Sequence, residues 1–215
     1  MGKEFPTMRQ EQALLGAGHT YIAGIDEAGR GAWAGPVVAA AVILPLDDPG
    51  LAEQLRMVCD SKLCTPRQRD LLYREICQVA LSWGVASVPA SRIDEIGIVP
   101  STRQAMQESI AQLVPYPDAL LIDALALPSI NLVQRAFNKG DRTSLAIAAA
   151  SILAKVTRDR EMIALGETYP GYGLARHKGY GTAEHRRALY QLGPTRIHRR
   201  SFSPISTWPQ EFKYV

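Results

Sequence analysis

Four acids stand where a folded chain could gather negative charge. Asp26 and Glu27 are adjacent in GIDEAGRGAWAGP (24–36), between an apolar run and a turn holding Gly29, Gly31 and Gly35. Asp123 directly follows the apolar ALLI, and Asp141 lies in NKGDRTS just ahead of an alanine-rich stretch. Carboxylates brought together from separate segments repel one another and resist ionisation, and divalent cations remove that penalty. Oxygen ligands suit Mg2+ or Mn2+ rather than Zn2+. Two such ions about 4 Å apart form a recurring arrangement for phosphodiester hydrolysis, one activating water and the other stabilising the leaving oxygen. Each acid also has a plainer reading. Acids and glycines are common in polar turns, Asp123 could close a turn or cap a helix, and Asp141 could cap the helix after it. Strand side chains alternate between faces, so Asp26 and Glu27 meet one ion only if the strand twists or Glu27 uses its length.

Other residues bear on what such a site would act upon. YPGYGLARHKGYGT (169–182) interleaves aromatic, glycine and basic residues. Aromatics can stack on sugars or bases, and glycine backbones can meet phosphates. The equally available alternative is a glycine-rich surface loop. Basic residues crowd the last quarter: Arg176, His177, Lys178, His185, Arg186, Arg187, Arg196, His198, Arg199 and Arg200. That excess could track a phosphate backbone or be a solvated surface. None of the four histidines sits in a motif that makes it a general base. His177 and His198 read as phosphate neighbours or structural residues. Lys155, Arg158 and Arg160 could equally be ordinary solvated charges.

These groups need a scaffold, and the pattern supplies one. YIAGID (21–26) and PVVAAAVIL (36–44) read as a strand–turn–strand hairpin. WGVASV (83–88), ALLID (119–123) and residues 130–137 are further strand candidates. A short helix fits 8–17, and the stretch from Pro45 to Cys59 reads as loop. A helix should open at Thr65, a plausible N-cap, with Pro66 in first position and Leu71, Leu72, Ile76 and Val79 at helical spacing. Others are expected from near Ser101 to Pro115, from about Ser144 to Leu165, and over Ala183–Leu192. The alanines from Ala146 to Ala154 would let the long helix pack closely on a sheet. Alternating strands and helices predict an α/β layered domain. At 215 residues the chain is long enough for one well-buried core, expected over 1–215 with a helical and irregular extension from about 183. Three cysteines, Cys59, Cys64 and Cys77, make neither a disulfide framework nor a zinc site without further ligands, which points to a reducing cytoplasm. No signal core opens the chain, and the longest apolar run, Val37 to Leu44, is too short to span a membrane. The final TWPQEFKYV carries no readable signal.

The ordered segments YIAGIDEAGRGAWAGPVVAAAVIL, DSKLCTPRQRDLLYREI, LLID, KGDRTSLAIAAASILAKVTRDREM, YPGYGLARHKGYGTAEH and HRRSF together resemble bacterial ribonuclease HII, over roughly residues 21–204. The resemblance implies an RNase H-like mixed sheet flanked by helices, with a helical C-terminal portion. It implies a monomeric endonuclease that cuts the RNA strand of RNA–DNA hybrids. It also implies cutting on the 5′ side of single ribonucleotides in duplex DNA, leaving 3′-hydroxyl and 5′-phosphate ends. Asp26, Glu27, Asp123 and Asp141 match the family's metal-holding acids, for Mn2+ or Mg2+; Asp159 is a rival with a structural role. Gly29-Arg30-Gly31 matches the stretch that recognises the ribose 2′-hydroxyl, the group that separates RNA from DNA. Tyr180 matches the tyrosine that packs against the deoxyribose beyond the junction, and Lys62, Lys155 and Lys178 are candidates for phosphate contact. Ribonuclease HIII shares the fold but carries an added N-terminal domain and lacks Gly-Arg-Gly, and a silent hybrid-binding module would gain nothing from clustered acids. Two departures stand out: Ala124 where the family usually has Gly, a small change if the backbone there avoids positive φ, and Ala32-Trp33 where Pro-Leu is common. Trp33 either alters substrate contact or covers apolar surface.

Overall fold

The two apolar runs flanking the acid–glycine turn pair as expected. In the computed structural model, which describes residues 5–208, β1 (Ile22–Ala28) runs antiparallel to β2 (Val37–Ile43), with Ala23 opposite Ile43 and Ala28 opposite Val38. The last residues of the expected C-terminal extension, 209–215, lie outside the described residues. β3 (Ser82–Val88) continues the meander on β2. β4 (Ala119–Asp123) lies parallel to the other side of β1, and β5 (Val133–Phe137) parallel to β4, giving the order β3-β2-β1-β4-β5. The sheet is therefore mixed.

Helices cover both faces. α1 (Arg9–Leu15) precedes the sheet, and a single turn, α2 (Leu51–Gln54), interrupts the stretch read as loop. α3 (Pro66–Val79) starts where the sequence placed it, with Thr65 and Gln68 capping each other's backbone amides. α4 (Ala90–Ile96) was not anticipated, and α5 (Ile98–Ile110) begins earlier than Ser101, with Pro100 in its first turn where no amide is missed. α6 (Leu145–Thr168), α7 (Leu174–His177) and α8 (Ala183–Leu192) complete the α-helices among the described residues. None of these is long and apolar enough to cross a membrane.

β2 shows how the layers form. Ala40 and Val42 join a core with the α6 alanines, while Ala39 and Ala41 join another with Ala105 and Met106 of α5. Alternate residues thus serve opposite faces, which is why the strand reads as a continuous apolar run. The α6 backbone lies very close to β1: a Cβ on Gly24 would fall 2.1 Å from the Ala146 carbonyl carbon. The small residues of the helix permit that approach. Its N-terminus is capped twice, by the Ser144 hydroxyl accepting from the Ile147 amide, and by buried Glu11 of α1. The Glu11 Oε1 accepts from the Ser144 hydroxyl at 2.6 Å and the Ala146 amide at 2.9 Å. The C-terminal portion has its own apolar cluster, in which Tyr172, Leu174, Leu189 and Ile205 meet Ala34 and Met162.

Candidate active site

The register of two parallel strands brings the first acids together. Ile25 pairs with Ile122, so the next residues, Asp26 and Asp123, emerge side by side at the C-terminal ends of β1 and β4. Crevices outside such strand ends are where open α/β sheets place their sites. Asp26 and Glu27 both line one cleft of about 450 Å3, so the alternation of strand faces does not part them. Gly29, Arg30, Gly31, Lys62, Lys155 and Tyr180 line the same cleft. Asp123 and Asp141 stand beside it rather than in its lining. The Gly140 amide donates to the Asp123 Oδ1 at 2.7 Å, which sets the Gly140–Arg142 turn, and Asp141 with it, against Asp123. Ser144, not Asp141, caps α6, so the helix-capping reading of Asp141 falls away.

Asp26, Glu27 and Asp141 are held above the usual carboxylate range by burial and by neighbouring acids. Burial pushes Asp26 well above the usual carboxylate range, and the charges of Glu27 and Asp123 push it further. Glu27 is also raised, chiefly by burial, although the Arg30 guanidinium at 3.4 Å opposes the shift. Asp141 is pushed up to about 6 by burial, then by Asp60 and Asp123. The Glu27 Oε2 is buried without a hydrogen-bond partner. An unmet buried carboxylate oxygen among acids that resist ionisation fits a divalent cation. As the side chains stand, no three acids, histidines or cysteines among the described residues are gathered tightly enough to enclose an ion. Several are turned toward their own donors: Asp26 to the Glu27 amide, Glu27 to Arg30 and Asp123 to the Gly140 amide.

Two neighbours, Asp60 and Ser151, were not singled out from sequence. Asp60 is buried, accepts from the Lys62 amide at 2.9 Å and pairs with Arg142 at 3.5 Å. Burial alone would lower the Lys62 ammonium, but Asp60, Asp141, Asp26 and Asp123 together hold it above its ordinary value. The Ser151 hydroxyl of α6 lies 2.9 Å from the Ser61 hydroxyl, and its hydrogen bond to Asp26 favours the Asp26 anion. The DSK tripeptide drew attention for its lysine, and its acid carried no separate signal. Ser151 was hidden inside a helix face whose spacing speaks only of packing.

The basic residues divide. Lys155 lines the cleft and pairs with Asp159 at 2.7 Å, and Asp159 also meets Arg69 at 3.5 Å, which gives Asp159 the structural role expected of it. Lys178 faces an adjoining depression of about 380 Å3 that shares Lys155 and Tyr180, and its ammonium folds back on the Ala175 carbonyl. His185, His198, Arg199 and Arg158 are buried, so part of the basic excess is architecture rather than an external field. The Thr195 amide donates to the His198 Nδ1, which leaves the His198 Nε2 to donate to the His185 Nε2 at 3.1 Å. The His185 Nδ1 then donates to the Tyr180 carbonyl at 3.0 Å. This relay settles His198 as structural and fixes the backbone of Tyr180.

Both departures have a physical account. Ala124 has φ 61, the left-handed region, so this position does have the positive φ that would make Ala costly. Trp33 is half-buried against the 179–186 segment: a Cβ on Gly181 would meet its ring at 2.3 Å, and Arg186 lies over it. It covers apolar surface and locks the connection between β1 and β2 to the C-terminal portion.

Comparison with known proteins gives the same direction. A family model described as Ribonuclease HII matches residues 23–205. The chain is 54% identical over 200 residues to the Ribonuclease HII of Roseiflexus castenholzii, covering 93% of this chain and 89% of that one. Its fold is similar to the ribonuclease H2 of Pyrococcus horikoshii OT3, with TM-score 0.73 and 28% identity, over 87% of this chain and 96% of that one. It is also similar to a chain from the PCNA:RNase HII complex of Archaeoglobus fulgidus, with TM-score 0.71 and 28% identity, over 86% and 96%.

Proposed function

Because the chain belongs to the ribonuclease HII family, endonucleases of RNA–DNA hybrids, we propose that its cleft also cuts on the 5′ side of a single ribonucleotide within duplex DNA. The observation that carries this reading is one cleft lined both by Asp26 and Glu27 and by Gly29-Arg30-Gly31. Acids suited to phosphodiester hydrolysis adjoin a backbone segment suited to the ribose 2′-hydroxyl, so cleavage is tied to the sugar rather than the base.

Asp26, Glu27, Asp123 and Asp141 would hold the divalent ions, Mn2+ or Mg2+. When bound, such a pair of ions activates the attacking water and stabilises the leaving oxygen, giving 3′-hydroxyl and 5′-phosphate ends. Gly29-Arg30-Gly31 reads the ribose. Tyr180, partly exposed at the rim with Arg158 against its ring, offers a face for the neighbouring deoxyribose. Lys62 and Lys155 line the cleft where the scissile strand would pass, and Lys178 serves the phosphates farther along. An Asp123→Asn variant should lose cleavage while still binding the hybrid, measured by gel cleavage and by fluorescence anisotropy. Full cleavage by that variant would remove Asp123 from the metal set.

A further inference from the structure

Two buried guanidiniums hold the 29–36 connection from beneath. The Arg199 Nη1 donates to the Arg30 carbonyl at 2.8 Å, its Nε to the Gly35 carbonyl at 3.0 Å and its Nη2 to the Pro36 carbonyl at 3.0 Å. Arg158 of α6 donates to the Pro36 carbonyl at 2.9 Å and the Ala34 carbonyl at 3.2 Å. Both side chains are 0% exposed, and Phe202 packs its ring against the Arg199 guanidinium at 5.0 Å. Desolvating a guanidinium is costly, and apolar residues of similar volume commonly fill such space at least as well. What an apolar residue lacks is a rigid fork of donors, which here fixes three carbonyls of one loop at once.

The Arg30 carbonyl is the informative one. A peptide unit is planar and trans, so the carbonyl of Arg30 and the N–H of Gly31 lie in one plane and point in opposite directions. Drawing that carbonyl inward onto Arg199 turns the Gly31 N–H outward. Gly31 is exposed and lines the cleft, and a Cβ there would meet nothing within 4 Å. The neighbouring backbone is held as well: the Arg199 amide donates to the Trp33 carbonyl at 2.8 Å, and the Gly35 amide to the Ile197 carbonyl at 2.8 Å. We infer that Arg199 is the positioning residue of the ribose reader, aiming the Gly31 N–H at the 2′-hydroxyl through the Arg30 carbonyl. The inference rests on the reading of Gly29-Arg30-Gly31 as that reader.

The test separates recognition of the sugar from binding of the duplex. In an Asp123→Asn background, so that strands stay uncut, Kd is measured for a duplex with one ribonucleotide and for the same duplex all in DNA. Arg199→Lys and Arg199→Gln, each keeping at most part of the fork, are expected to reduce the ratio of the two affinities by about tenfold, while the all-DNA affinity is unchanged. A merely structural role would move both affinities together or neither. The inference is overturned if either variant, folded by its thermal melt, keeps the unaltered ratio. It is equally overturned if neither variant folds, since Arg199 is then only scaffold. If the protein with Arg199 intact shows no preference for the ribonucleotide, the reader itself has failed, and the two failures are thereby distinguished.

Discussion

Gly29 and Gly31 flank the same arginine and do different work. Gly29 has φ 93, and a Cβ there would fall 1.9 Å from the Arg158 Nε, on a side chain already fixed by two carbonyls. Gly31 has open space in front of it. Gly29→Ala should therefore destabilise the fold by about 3 kcal/mol, while Gly31→Ala should leave the melt within about 0.5 kcal/mol and still cut at least about tenfold more slowly. Equal losses of stability in both would refute the division. Ala124 offers the reverse experiment. Its left-handed backbone costs about 1–2 kcal/mol, and a glycine loses about 0.4–1 of that gain through unfolded-chain freedom, so Ala124→Gly should stabilise by up to about 1.5 kcal/mol in urea unfolding. A variant less stable than the parent would contradict the strain. At this scale the sequence was informative about acids and glycines, whose types announce their uses. It was silent on Asp60 and Ser151 and read Arg199 only as one of a basic group at the surface, whereas it is buried, because nothing in a residue's type says which carbonyl or acid it will meet.

The strands and long helices were legible because burial imposes period. The β1–β2 hairpin, α3 with its capping box, and α6 with its alanines all stand within a few residues of their expected bounds. α4 escaped notice, since its SRIDEI core is short and polar, and the Glu11 contact with α6 joins segments far apart in the chain. The C-terminal element carries a pH dependence of its own. Burial pulls His185 down to about 4 and His198 to about 3, so both stay neutral in the fold. The unfolded chain binds protons more readily there. The stability these histidines contribute is complete above about pH 6.5 and is lost as pH falls from there toward 4 and then 3. Asp26, Glu27 and Asp141, raised in the fold, act in the opposite sense, so a whole-protein melt mixes the two. Trp33, with its ring 5.6 Å from His185, reports the histidines alone when Trp83 and Trp208 are replaced by Phe. Its emission should stay level down to about pH 5 and shift as pH falls through about 4 toward 3, and a flat trace from about pH 5 to 3 would exclude the relay as a pH-sensitive joint.

As a whole, the molecule places Asp26 and Glu27, on the central strand of its sheet, and the Gly29-Arg30-Gly31 loop in one cleft, with the C-terminal portion pinning the loop from behind. Asp26 and Glu27 lie near the end of β1, which closes at Ala28 and continues directly into Gly29-Arg30-Gly31, and Arg199 ties that loop to the last part of the described chain. In the proposed function, chemistry and choice of substrate are thereby neighbours along the backbone as well as in space. The most direct measurement is cleavage, with Mg2+ and with Mn2+, of a DNA duplex carrying one ribonucleotide, with product ends mapped on a sequencing gel. A single cut on the 5′ side of the ribonucleotide, with the all-DNA duplex intact, is the predicted result. A ribonucleotide-containing duplex left whole with both metals, or cut without regard to the ribose, would contradict the account.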